Sequence, residues 1–202
     1  LHASTDPVVL CAKGFADDGF LRITGKLCQP SALRRPRASP FWAAGFAFGA
    51  AAQLREVPYD VELEDLFFGE EPSMAVRLWT SGWDFFAPTK VIGYHLWTRK
   101  HRPVFREHGS EEQRARLARS QQRVRQMLAG EEDLGGCGVG TARTLRAYEV
   151  FAGLSFAGRR VSARARRGGF PAEAFVDGDP AAPASSSNAP PPASEGYSAL
   201  AG

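Results

Sequence analysis

Apolar positions along the chain come in short blocks separated by turn-forming residues. Val8–Ala12 is one such block. The Phe15–Phe20 stretch that follows carries Asp17-Asp18-Gly19, which reads first as a turn and second as a pair of metal-binding carboxylates. Residues 29–40 hold three prolines and three arginines and read as a loop. Phe41–Phe48, rich in aromatic and small residues, predicts a strand. Gly45 within it either lets a ligand approach the backbone or packs tightly against a helix. Ala50–Arg55 predicts a short helix, and Pro58-Tyr59-Asp60 the turn after it.

Gly69 opens a helix predicted through Ser81, with Gly82 at its end. Met74, Ala75, Leu78 and Trp79 give it one apolar face. Glu70 and Glu71 fall in its first turn, where the helix dipole favours a carboxylate by about 0.3–1 kcal/mol. The alternative is that Glu70 projects into a pocket and accepts hydrogen bonds from a ligand. Val91–Trp97 predicts a buried strand containing His95. A lone His is more often a satisfied core residue than a ligand, yet neutral imidazole binds divalent cations beside carboxylates.

Ser110-Glu111-Glu112-Gln113 is a capping-box pattern that opens a basic helix to about Leu128, with Leu117, Val124 and Leu128 as a sparse apolar face. Gly136–Gly140 is glycine-rich but has neither the preceding strand nor the following lysine of a phosphate loop. Thr141 starts a last predicted helix carrying Leu145, Tyr148 and Phe151, and Arg159–Arg167 is a basic cluster. Residues 171–202 turn to Ala, Pro and Ser, most clearly from Gly178, and predict a disordered tail.

Composition narrows this only a little. A chain of 202 residues with an ordinary apolar share fits one domain plus tails. Its small net charge of +3 is unevenly placed: five positive and eight negative residues in 41–100, then fourteen positive and seven negative in 101–170. An acidic centre beside a basic flank fits a metal site near an anion-binding surface, or simply solvated helix faces. Three cysteines, odd in number and without C-x-x-C spacing, argue against a zinc site and against a complete disulfide framework, and favour a reducing compartment. No apolar run approaches the ~20 residues that span a bilayer. The chain opens on Leu1 rather than Met, so a fragment is expected.

Five motifs in one order carry a resemblance: Phe41–Phe48, Arg55–Asp60, Phe67–Glu71, Arg77–Pro88 and Tyr94–Arg99, with weaker extensions to Leu10–Phe20 and Gly138–Gly153. They resemble the N-acetylglucosaminyltransferase family of the hydroxyproline-modifying enzymes and, more distantly, the polypeptide N-acetylgalactosaminyltransferases. The resemblance implies an α/β fold: the C-terminal part of a Rossmann-like GT-A domain over 1–170, with its core at 41–99 and a helical flank at 110–155. It implies UDP-N-acetylglucosamine as donor, a protein hydroxyl as acceptor with hydroxyproline as one form, retention of configuration, and a divalent metal, usually manganese.

Residue by residue, Glu70 and Glu71 match the acidic, catalytic position that meets the donor sugar. Ala44, Gly45 and Gly69 match donor-sugar contacts, and His95 matches the C-terminal metal ligand. Arg99 is a displaced candidate for the diphosphate, because Thr98 takes the usual basic position. Phe67 stands where the galactosaminyl family has a Trp. No Asp-x-Asp precedes Phe41, so the nucleotide-binding half is expected upstream of this chain. The partners expected are therefore a nucleotide-sugar and an acceptor protein, without nucleic acid or membrane contact in this segment. The location expected is cytoplasmic, or the Golgi lumen should an anchor precede Leu1. The competing expectation is a non-catalytic fragment or pseudoenzyme that binds a protein.

Overall fold

The computed structural model describes residues 4–95, 109–131 and 134–182. The first two strands, β1 (Val8–Phe15) and β2 (Leu21–Leu27), pair antiparallel. Their connection is the expected Asp-Asp-Gly turn. Gly19 takes φ 82°, and its N–H donates to the Ala16 carbonyl at 2.8 Å. Asp18 accepts locally from the Phe20 N–H (3.1 Å) and from Arg22 (2.6 Å), which accounts for its carboxylate within the turn. A register shift between Ala12 and Gly14 bends β1 where Gly14 takes φ 145°.

β3 (Arg37–Ala38) then pairs with β4 (Phe86–Ala87), and short α1 (Ala52–Glu56) precedes α2 (Glu70–Thr80). α2 is the centre of the molecule. Every residue from Pro72 to Thr80 is buried, so the helix is covered on all sides. Its hydroxyl side chains are satisfied within it: Ser73 Oγ donates to the Glu70 carbonyl (2.8 Å) and Thr80 Oγ1 to Val76 (2.7 Å), whereas Arg77 Nε is buried without a partner among the described residues. Arg77, only 2% exposed, donates to the Pro58 and Gly136 carbonyls at 2.7 and 3.3 Å.

α3 (Glu111–Ala129) begins where the capping pattern places it. Ser110 Oγ accepts the Gln113 N–H at 3.1 Å, and Gly130 ends the helix at φ 74°. α4 (Leu145–Ala152) starts three residues later than expected, because Thr144 rather than Thr141 caps it, accepting from the Ala147 N–H (3.0 Å). Trp79 of α2 stacks on Phe151 (5.3 Å, 13°) and meets Tyr148 edge-on (5.7 Å), which fastens α4 to α2. Gly140 is placed by the same helix: a Cβ there would lie 2.5 Å from the Thr80 carbonyl carbon, so only glycine allows this approach. β5 (Leu154–Ser155), β6 (Arg160–Val161) and α5 (Ala163–Arg166) complete the fold.

Three expectations are corrected. Phe41–Phe48 is not a strand: Phe41 and Trp42 enter the core, then the chain turns at residues 44–46 and stays exposed, with Phe46 at 69% and Phe48 at 97%. An apolar run becomes a strand only when a partner edge is present, and here the pairing is taken two residues earlier by β3 with β4. Residues 91–95 are irregular rather than a buried strand, and Leu96–Arg99 lie outside the described residues. Finally, the boundary at 170 is too early. Phe170, Ala174 and Phe175 are buried in a second cluster with Val9, Cys11, Cys28 and Leu33, and Phe175 bridges Cys28. The rest of the expected tail, 183–202, lies outside the described residues.

Among the described residues every sheet is two-stranded and antiparallel. The fold is mixed helix and strand, and these residues contain no parallel α/β sheet.

Candidate active site

Three stretches meet at the N-terminal end of α2: the loop after Trp42, which Glu71 reaches, the irregular Pro58–Asp60 segment, whose Tyr59 feels the Glu70 charge, and the first helical turn. Gly69 makes the entry possible. It takes φ 113°, a left-handed conformation that side chains avoid, and a Cβ there would lie 3.0 Å from the Phe20 ring. Gly69 is therefore a conformational requirement of the site.

From that entry Glu71 reaches back across 27 residues of sequence. Its Oε1 accepts the Ala44 N–H at 3.2 Å. The two acidic and small-residue motifs that stand apart in the sequence are thus joined by one hydrogen bond. Glu70 is half-buried beside them, and burial pushes its carboxyl above the usual range. Burial raises Glu71 as well; the Ala44 N–H opposes this and the neighbouring Glu70 charge adds to it. The Tyr59 phenol is pushed up by burial and by the Glu70 carboxylate, so Tyr59 lies within electrostatic reach of Glu70. Sequence reasoning treated Tyr59 only as a turn residue. The signal available was an aromatic hydroxyl in the turn that closes the segment before the helix.

Two aromatic residues, Phe67 and Phe68, directly precede Gly69 in the chain. Phe67 meets Phe68 edge-on at 4.9 Å, and the Arg22 guanidinium lies 3.6 Å from the Phe68 ring centre. Trp42 Nε1, buried just before the Ala44 loop, finds no hydrogen-bond partner among the described residues. Gly45 is exposed, with open space where a Cβ would stand, so it does not pack tightly against a helix.

His95 is exposed in an irregular segment, which is tied to the N-terminal end of the chain by Tyr94 Oη donating to the Ser4 carbonyl (3.1 Å). Arg99 lies outside the described residues. Among the described residues no group of three His, Cys, Asp or Glu could hold a metal ion, so the residues present do not by themselves fit the expected manganese.

What the corner offers is two partly buried carboxylate acceptors, which is chemistry for hydroxyl-rich ligands. A family profile described as Glycosyltransferase (GlcNAc) matches residues 2–158. The chain belongs to the GlcNAc glycosyltransferase family. No curated protein and no solved structure matches it. Membership in this GlcNAc transferase family makes transfer of a sugar from a donor to an acceptor its activity class, and the matched span contains the whole carboxylate corner. No helix among the described residues is long and apolar enough to cross a membrane.

Proposed function

We propose that this corner is the donor-sugar side of a transferase that moves N-acetylglucosamine from UDP-N-acetylglucosamine to a protein hydroxyl, hydroxyproline included, with retention. The observation that carries the proposal is the Glu71–Ala44 hydrogen bond, which brings the two motifs matched to donor contacts into one place. In this reading Glu70 accepts hydrogen bonds from sugar hydroxyls, and its partial burial strengthens them. Glu71 holds the Ala44–Gly45 loop against the helix. Retention is read as same-face displacement, with the leaving diphosphate assisting deprotonation of the acceptor; no protein nucleophile is needed. GT-A architecture, manganese dependence and an upstream nucleotide-binding half belong to the same proposal and rest on the family resemblance. Among the described residues His95 is the metal ligand that this resemblance offers. Three cysteines free of disulfides agree with a reducing, cytoplasmic setting.

The test is transfer of radiolabelled N-acetylglucosamine from its UDP ester to a hydroxyproline-containing protein, by the natural full-length enzyme, with manganese or with chelator. Loss of a charged hydrogen bond is worth about 1.5–3 kcal/mol, so Glu70→Gln is expected to lower turnover roughly 10- to 100-fold with little change in stability. A fully active Glu70→Gln enzyme reduces the carboxylate to a helix-dipole partner.

The exposed Phe46, Phe48 and Val61 favour a second reading, a protein-binding module without catalysis. Acceptor binding with no transfer under any metal condition selects it.

A further inference from the structure

The basic cluster Arg159–Arg167 has no part in the carboxylate corner. It runs Arg159-Arg160-Val161-Ser162, two arginines placed three and two residues before a serine. That is the charge pattern by which arginine-directed protein kinases select a hydroxyl, since their acidic peptide groove pairs with cations at those two positions.

The structure puts this serine on the surface, at the end of the β5–β6 hairpin, with Val161 half-buried before it. Its position is well fixed. The Ser162 N–H donates to the Gly153 carbonyl (2.9 Å), and Ser162 Oγ accepts the Ala165 N–H (3.2 Å). A Cβ on Gly153 would stand 2.5 Å from that Oγ, so glycine there leaves the room the hydroxyl occupies. Outward of it is an open groove of about 320 Å³ between α4 and the hairpin, lined by Arg146, Glu149, Ser155, Arg160 and Ser162. Arg146 from α4 and Arg160 from β6 bring two guanidinium groups to this groove. Arg160 makes no ion pair among the described residues, and Arg146 pairs only with Glu149, at 3.3 Å, while 76% exposed. Glu149 has another strong partner, the Phe156 N–H at 2.8 Å, so it does not depend on Arg146.

We propose that Ser162 is a phosphorylation site, and that the phosphate is received between Arg146 and Arg160. The γ-phosphoryl group of ATP is transferred to Ser162 Oγ; the bond to the β-phosphate oxygen breaks, the Oγ–P bond forms, and the serine proton passes to the kinase base. The product carries about 1.5–2 negative charges and three strong acceptor oxygens, which suit forked guanidinium donors. α5 has four residues and is too short to hold an anion; the arginines do so. For the kinase to read Arg159 and Arg160 in extended form, the two-residue β5–β6 ladder must open, a small local unfolding. Once made, the phosphate ties the hairpin to α4, the helix stacked on α2.

The experiment uses the full chain, the catalytic domain of an arginine-directed serine kinase and ATP, with mass-spectrometric mapping and 31P titration. One phosphate is expected, on Ser162. Arg159→Ala, outside the groove, slows incorporation at least about tenfold, and Ser162→Ala abolishes it. Ser162→Thr retains the cap and accepts phosphate slowly, which shows that loss in the alanine variant is not misfolding. The phosphoserine titrates below the ordinary value of about 6, and Arg146→Ala returns it toward that value. Phosphate on other serines, no incorporation into the folded chain, or identical titration with and without Arg146 overturns the proposal.

Discussion

Single residues in this chain are governed by what burial and pairing do to their charge. Glu70 and Glu71 sit at a helix N-terminus, which favours the ionised form, yet burial raises both. Carboxyl groups held half-buried at a desolvation cost are an arrangement suited to binding rather than to stability. Asp179 shows the opposite balance. Its oxygens accept from Arg167 (2.7 Å to Nε) and from the Ala181 N–H (2.9 Å), and the Arg167 hydrogen bonds, aided by that N–H, hold its carboxyl down to about 2 from an ordinary 3.8. Because the folded value lies below the unfolded one, the stability this group contributes is complete above about pH 4 and lost as the pH falls toward 2. Exchange of the Ala181 amide is therefore expected to accelerate across that window. In Asp179→Asn it is fast throughout, without the pH step. A step that survives in the variant assigns it to another group.

At the scale of elements, α2 determines where chemistry can happen. Its start depends on a left-handed glycine, and its end on Gly82 at φ 102° with the Trp83 N–H returning to the Leu78 carbonyl (3.0 Å). Between these, complete burial of Pro72–Thr80 holds the Glu70–Glu71 turn in place. Gly69→Ala forces an unfavourable backbone conformation and presses on Phe20. The expected cost is about 2 kcal/mol, read as a lower urea midpoint with an unchanged slope. A neutral effect means that the entry turn re-forms without positive φ. α3 and α4 start on Ser110 and Thr144 side-chain caps, which are worth ~1 kcal/mol each.

At the scale of the molecule, two clusters of buried residues divide the work. The larger surrounds α2 and takes in Phe20, Trp42, Met127, Tyr148 and Phe156. The smaller closes β1 against the chain's later part through Phe170 and Phe175. Phe175→Ala is expected to destabilise the fold by about 3–5 kcal/mol in a denaturant titration, the usual cost of truncating a buried aromatic. A loss below ~1 kcal/mol places residues 171–176 outside the cooperative unit.

The sequence by itself determined the elements whose signals are local. The Asp-Asp-Gly turn, the α2 span from Gly69 to Gly82 and the Ser110 cap were legible because turn conformations and first-turn donors are satisfied within a few residues of chain. The carboxylates of the site were legible for the same reason, as occupants of a helix start. Only the tertiary structure decided the rest. Phe41–Phe48 has the composition of a strand but no free edge to pair with, so it became an exposed loop. His95 sits in an aromatic-rich segment that is exposed rather than buried. Phe175, in a stretch of tail-like composition, is drawn into the core by its bridge to Cys28. The bond from Ala44 to Glu71 exists because the fold places a free backbone N–H beside a carboxylate. Strand pairing, burial and such long-range bonds depend on which surfaces meet in space, and composition does not encode that.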